Sequence, residues 1–247
     1  MPRRTFCRLM AAVLLLAPVV AAAADAGWPA LRLAGEPEWS GPMRLLAILT
    51  VLSLAPSIVI MLTAFTRIVV VLSMLRQALG MADTPPTPVI VSVALFLTAF
   101  TMMPVWDAIH AQAVTPWLER RVGDREAFER ALVPVRRFML AQTGERDLAA
   151  IAELGGKPPA ASPDQVGTFQ LVPAFMLSEL RRAFEIGFVV FLPFVLIDLV
   201  VAAVLTALGM IMVPPAAFSL PLKILLFVLV DGWSLLAASL VRSFAPM

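Results

Sequence analysis

Two long apolar blocks, separated by a stretch of mixed charge, set the outline of the chain. In the first, Leu45 to Thr66 is a 22-residue run without charge, interrupted by Pro56. Arg67 follows, then apolar Ile68 to Leu75, Arg76 and a Pro85-Pro86-x-Pro88 turn. Val89 to Trp106 returns as a second apolar helix, with Met102-Met103-Pro104 near its end and Trp106 placed as an interfacial anchor. The second block runs from Leu171 to Phe244, and between Ile186 and Val241 only Asp198, Lys223 and Asp231 carry charge. Apolar stretches of about 20 residues have the length of membrane-type helices. The pattern predicts one helix through Pro193 to Met212 and a final helix from about Leu220 to Phe244.

The intervening segment differs in kind. Charges of both signs alternate along Glu119 to Arg137, and Phe128, Leu132, Val135 and Phe138 recur at helical spacing. Met139 to Leu154 reads as a further helix, and Gly155 to Gly167, rich in Gly, Pro, Ala and Ser, as a loop. Arg181 and Arg182 stand three or four residues from Glu179 and Glu185, which suits ion pairs along one helix. At the other end, Arg3, Arg4 and Arg8, the apolar run Leu9 to Val20 and Ala22-Ala23-Ala24 have the layout of a cleaved secretory signal. An N-terminus released outside the membrane places the polar insert outside as well, by counting hairpins.

The expectation is an all-α membrane-type protein: two long helical hairpins with broken helices plus a helical periplasmic insert. The divisions are a signal peptide 1–24, an extended lead-in 25–43, a first hairpin 44–106, the insert 107–172 and a second hairpin 173–247.

Composition agrees and removes several classes. Apolar residues make up 60% of the chain and mean hydropathy is +0.91, whereas soluble domains hold roughly 45–50% apolar residues. The formal charge is +2, from 19 basic and 17 acidic residues. Without Arg3, Arg4 and Arg8, 16 basic residues face the 17 acids, so no basic field for nucleic acid exists. One cysteine, Cys7, and one histidine, His110, leave no set of soft metal ligands, and no cofactor is expected.

The stretch with the most specific chemistry is Leu208-Gly209-Met210-Ile211-Met212-Val213-Pro214-Pro215. Pro214 and Pro215 cannot donate to a helical ladder, so Gly209, Pro214 and Pro215 mark a hairpin tip with unwound backbone. At membrane depth such backbone is tolerated only where protein buries it or where it lines a watery path. The tip is therefore expected on a channel or transport route.

Four charges stand inside apolar sequence: Arg67, Asp198, Lys223 and Asp231. Arg67 is expected to hold a structural ion pair with a neighbouring subunit, since an unanswered charge there is costly. If Ala216 is the hairpin apex, Asp198 and Asp231 lie at similar depth, roughly 22–27 Å away, and Lys223 is too near the apex to meet either. These charges are then expected to find partners on adjacent copies.

Two other readings need weighing. An intramembrane aspartyl protease needs a Gly-x-Gly-Asp context, which neither Leu196-Ile197-Asp198-Leu199 nor Val230-Asp231-Gly232-Trp233 supplies. Gly155-Gly156-Lys157-Pro158 lacks the leading Gly and the Ser/Thr of a phosphate-binding loop. No enzyme is expected. An ion-coupled membrane carrier using Asp198 and Asp231 as proton relays is the alternative function, since intramembrane acids mark ion paths.

The motifs have a collective likeness. Leu177-Ser178-Glu179-Leu180-x-x-Ala183-Phe184-x-Ile186-Gly187-Phe188, Pro193-Phe194, Ile197-Asp198, Leu208-Gly209-Met210-x-Met212-x-Pro214-Pro215, Leu220-Pro221-x-Lys223 and Phe227-Val228-Leu229-Val230-Asp231-Gly232-Trp233 occur in that order. Upstream stand Thr63-x-Phe65-Thr66-Arg67, Leu75-Arg76-x-Ala78-Leu79-Gly80 and Leu95-Phe96-Leu97-Thr98-x-Phe100-x-Met102-x-Pro104. Together they resemble the FliP family (FliP/SctR) of flagellar type III export-gate proteins.

The resemblance implies a bacterial inner-membrane protein at the flagellar basal body, with its insert on the periplasmic side. It implies a ring-like homo-oligomer, a pentamer, joined by FliQ and FliR with FlhB and FlhA as neighbours. Unfolded flagellar proteins would pass through this assembly. It also implies that Met210, Ile211 and Met212 form a gasket at the narrowest point. Unbranched thioethers suit a seal round a sliding chain, whereas Ile211 is stiffer at χ1.

Overall fold

Apolar residues three and four apart put one greasy stripe on each helix, and the fold is the burial of those stripes. The computed structural model describes residues 40–81, 83–156, 165–210 and 212–244, and all regular structure among them is helical. The signal-peptide segment 1–24, most of the lead-in and Ile211 lie outside the described residues. The chain falls into two compact units, residues 1–54 and 55–247. The described part of the first is the start of α1 (Ser40–Met61), where Leu45, Leu46, Leu49 and Leu52 are exposed.

The second unit is built on α2 (Phe65–Ala78) and α8 (Thr168–Ala207). Helix α2 buries Arg67, Ile68, Val71, Leu72, Leu75 and Ala78, a stripe at helical period. Opposite it, α8 buries Leu171, Phe175, Ser178, Glu179 and Ala183. The helices touch at Gly187, where a Cβ would come within 2.3 Å of Met74 Sδ. Helix α2 ends because Gly80 takes φ +79° and the N–H groups of Gly80 and Met81 turn back to Gln77 and Arg76. That is the Schellman stop, which favours glycine at its left-handed position.

The return helix is not continuous to Trp106 as the apolar run suggested. Helix α3 (Thr87–Thr101) stops at Met102, and α4 (Met103–Ile109) follows with Pro104 in its first turn. Taken to Leu118, through a π-helical turn His110–Val114 and α5 (Thr115–Leu118), the second segment is bent from α3 by 55°. Pro104 is favourable in a first turn but has no N–H to carry an existing helix through.

In the insert, α6 (Asp124–Gln142) and α7 (Glu145–Leu154) divide at Thr143–Gly144, later than the expected division near Met139. Both place acids in their first turns, Asp124 and Glu126 in one, Glu145 and Asp147 in the other, where the helix dipole favours them. Of the stripe read from sequence, Phe138 is buried while Phe128 is 61% exposed.

Helix α8 is a single 40-residue element containing Pro173 and Pro193, and it begins well before the expected helix through Pro193 to Met212. At 1.5 Å per residue it is about 60 Å long, twice the thickness of a bilayer's hydrocarbon. Its charged first half, with Glu179, Arg181, Arg182 and Glu185, packs with α6 and α7 of the insert, and its second half continues as the apolar arm. Among the described residues α8 is the one helix long and apolar enough to cross a membrane by itself.

The predicted final helix is also two. Helix α9 (Ala216–Leu229) and α10 (Gly232–Arg242) meet at 65° across Asp231, which takes φ +49°. Asp is among the few residues that visit this left-handed region. Gly232 lets the chain fold over Phe227, since a Cβ there would lie 2.2 Å from the ring. Counting each bent pair as one span gives up to three crossings.

Candidate functional site

The bend between α8 and α9 is built by two helix ends. Helix α8 closes as α2 does: Gly209 takes φ +76°, its N–H donates to Thr206 O at 3.0 Å, and Met210 N–H donates to Leu205 O at 2.9 Å. Helix α9 opens on prolines, whose missing N–H groups cost nothing there. The Pro214 carbonyl accepts from Ala217 at 3.1 Å, and the Pro215 carbonyl from Phe218 and Ser219 at 3.1 and 3.0 Å. Between these ends Met210 is exposed and Met212 is 96% exposed. Gly209, Pro214 and Pro215 are exposed as well. Ile211 belongs to this bend in sequence but is outside the described residues.

Below the bend, α8 and α9 leave an apolar groove of about 520 Å³ between them, lined by Leu196, Val200, Leu222, Leu225, Leu229 and others. Phe96, Phe100, Phe184, Phe188 and Val228 also expose their side chains. Apolar surface on this scale requires lipid or protein to cover it.

The charges are arranged differently from expectation. Lys223 Nζ lies 2.6 Å from Asp198 Oδ2 and donates to Ala78 O at 3.1 Å, so a single ammonium ties α9 to α8 and to the end of α2. The expectation that Lys223 could not reach Asp198 counted residues 208–215 as helix. They rise along no helix axis. Asp198 is nine residues before Ala207 and Lys223 seven after Ala216, about 14 and 11 Å from their own helix ends. Asp231 is at the α9–α10 break instead, exposed and without a capping hydrogen bond.

Arg67 also finds its partner inside the chain and not across a subunit boundary. Its Nε donates to Glu179 Oε2 at 2.9 Å and its Nη2 to Glu179 Oε1, both side chains being fully buried. Nη1 donates to the Ser243 carbonyl at 2.9 Å and to Ser243 Oγ at 3.1 Å, and Nη2 to Gln142 Oε1 at 3.3 Å. All five N–H groups of a guanidinium are thereby answered. The Phe244 ring lies 3.9 Å from the guanidinium carbon.

Glu179 therefore makes no pair with Arg181 or Arg182. Arg181 turns to Asp147 at 2.5 Å, and Arg182 to Gln142 at 3.0 Å. Ser178 Oγ donates to Asp147 Oδ2 at 2.6 Å and accepts from Gly144 N–H at 3.0 Å, fixing the start of α7 on α8. Reading the sequence for charges gave Glu179 the wrong partner and missed the roles of Gln142, Asp147 and Ser243. One signal was present: Glu179 sits four residues after Phe175 and eight after Leu171, on the buried stripe of α8.

Nothing in this constellation resembles a reaction centre. Among the described residues no three His, Cys, Asp or Glu side chains gather to hold a metal. The arrangement suits positioning: two buried cations hold several helices, and the bend stays free. A Glu179→Ala chain strands the Arg67 charge and is expected to lose about 3–5 kcal/mol of stability. An Arg67→Met, Glu179→Met double variant removes both charges and should lose much less. Thermal unfolding of the detergent-purified chains measures both, and equal losses would contradict the buried-pair assignment.

Residues 48–240 match the model of the FliP family. The "Flagellar biosynthetic protein FliP" of Caulobacter vibrioides is 52% identical over 202 residues, 82% of this chain and 76% of that protein. The protein of the same name from Pectobacterium carotovorum is 50% identical over 210 residues, covering 85% and 81%. That of Bacillus subtilis is 46% identical over 205 residues, covering 83% and 93%. The matched region takes in α2, α8, the bend with its methionines and both buried cations, and the chain belongs to the FliP family.

Proposed function

We propose that this chain is a core subunit of the flagellar type III export gate. Copies of it, a pentamer by the family expectation, surround a path for unfolded flagellar proteins, and the Met210-Ile211-Met212 bend is the seal. FliQ, FliR, FlhB and FlhA are its expected neighbours. Its place is the bacterial inner membrane at the basal body, with the α6–α7 insert on the periplasmic side and residues 1–24 removed as a signal. The role is that of a conduit, not an enzyme.

The observation that carries this reading is the exposed bend. An apolar arm of membrane length, α8, and the shorter apolar α9 meet in a turn whose backbone needs are met locally, by the Gly209 stop and the two prolines, leaving Met212 without cover. Thioethers on such a turn can re-pack against a passing chain of any sequence. Asp231 supports the reading from the side. It is the intramembrane-type acid that the chain itself does not pair through Lys223, and it is available to a neighbouring copy. The proton-carrier alternative loses ground here, because Asp198 is held by Lys223 at 2.6 Å.

Two outcomes are expected. Replacing Met210 and Met212 by Gly in an otherwise assembled gate opens a small-ion leak across the membrane, read as dissipation of the membrane potential in cells. An unchanged potential with normal assembly would refute the seal. Asp231→Ala should shift the chain on a native gel from the oligomer toward smaller species, and an intact oligomer would remove Asp231 from the interface.

A further inference from the structure

Arg67 draws its acceptors from three parts of the chain, and one of them is anchored unlike the others. Glu179 and Gln142 lie on α8 and α6, long helices packed on the core. Ser243 and Phe244 follow α10, an 11-residue helix that buries Gly232, Leu236 and Leu240 along one narrow line. At its start α10 is separated from α9 by the left-handed Asp231, and Trp233 and Leu235 remain exposed. Its far end is held through the guanidinium. The Ser243 carbonyl and hydroxyl take both N–H groups of Nη1, and the Phe244 ring lies against the charge at 3.9 Å. The same ring stacks on Phe138 of α6 at 6.3 Å, and Phe138 meets Phe175 of α8 at 5.9 Å.

We infer that α10 is a strap, hinged at Asp231 and latched on Arg67 by Ser243 and Phe244, and that this latch clamps the polar insert onto the two hairpins. With the strap closed, Arg67 and Phe244 together hold α6 at Gln142 and Phe138. With it open, Nη1 loses both acceptors, and the face of Phe138 that stacks on Phe244 is uncovered. Opening of the strap and loosening of the insert are then one event. This holds whatever passes the bend, so it stands or falls apart from the proposed conduit.

The test uses the full chain in mild detergent and limited trypsin, followed at Arg137 and Arg146 of the insert. Cleavage that is slow relative to reclosing follows the population of the opened form. Ser243→Ala removes the hydroxyl's hydrogen bond to the charge and leaves the carbonyl's, and losing that bond together with the ring over the charge should raise that population about tenfold. The expected result is about tenfold faster cleavage in a Ser243→Ala, Phe244→Ala chain, and a smaller acceleration in Phe244→Leu, which keeps the packing and removes the ring. In an Arg67→Met, Glu179→Met background, which strands neither charge, the same substitutions should accelerate cleavage severalfold less than in the Arg67 chain, because no charge remains to latch and only the Phe244–Phe138 packing is lost. No acceleration in the Arg67 chain would overturn the strap. Equal acceleration in both backgrounds would also overturn it, since the tail would then act by packing alone.

Discussion

A guanidinium with no access to water must have every N–H answered, and this requirement organises the molecule. Arg67 meets it only when α2, α6, α8 and the residues after α10 converge. A buried ion pair adds little net stability over apolar packing, but it penalises every arrangement that leaves one partner alone. The knot therefore selects one assembly of helices among the many that apolar stripes alone would permit. Lys223 repeats the device nearer the bend on a smaller scale, drawing Asp198 and the Ala78 carbonyl to one ammonium.

Helix α8 carries the consequence across the molecule. It runs unbroken from the insert, through Glu179 in the knot, to the Gly209 stop, about 42 Å beyond Glu179. A rod fixed at two charged points sets the place of whatever stands at its end. The bend is thus held in position by contacts far from it, while its own surface stays clear. That division suits the proposed role, in which the moving partner has no fixed shape.

Much of this could be read in the sequence. Apolar runs gave the two blocks and the polar insert between them, and Gly209 with Pro214 and Pro215 marked the bend, because those residues have narrow backbone preferences. Hidden were the interruptions inside the blocks: the break at Met102 and the left-handed Asp231, where hydropathy is continuous and only local geometry changes. The ion pairs were misassigned for a related reason. Spacing along one helix favoured Arg181 and Arg182 as partners of Glu179, whereas the partner was Arg67, far away in sequence. Depth counted through residues 208–215 as helix separated Lys223 from Asp198, which the turn brings level.

The account rests on the bend meeting the exported chain. A photo-crosslinking amino acid at position 212, in cells holding a flagellar substrate stalled in export, tests this directly. Crosslinks from position 212 to the stalled substrate, and to other copies when export is idle, are the predicted result. Crosslinks to lipid alone, with none to substrate or to another copy, would contradict it.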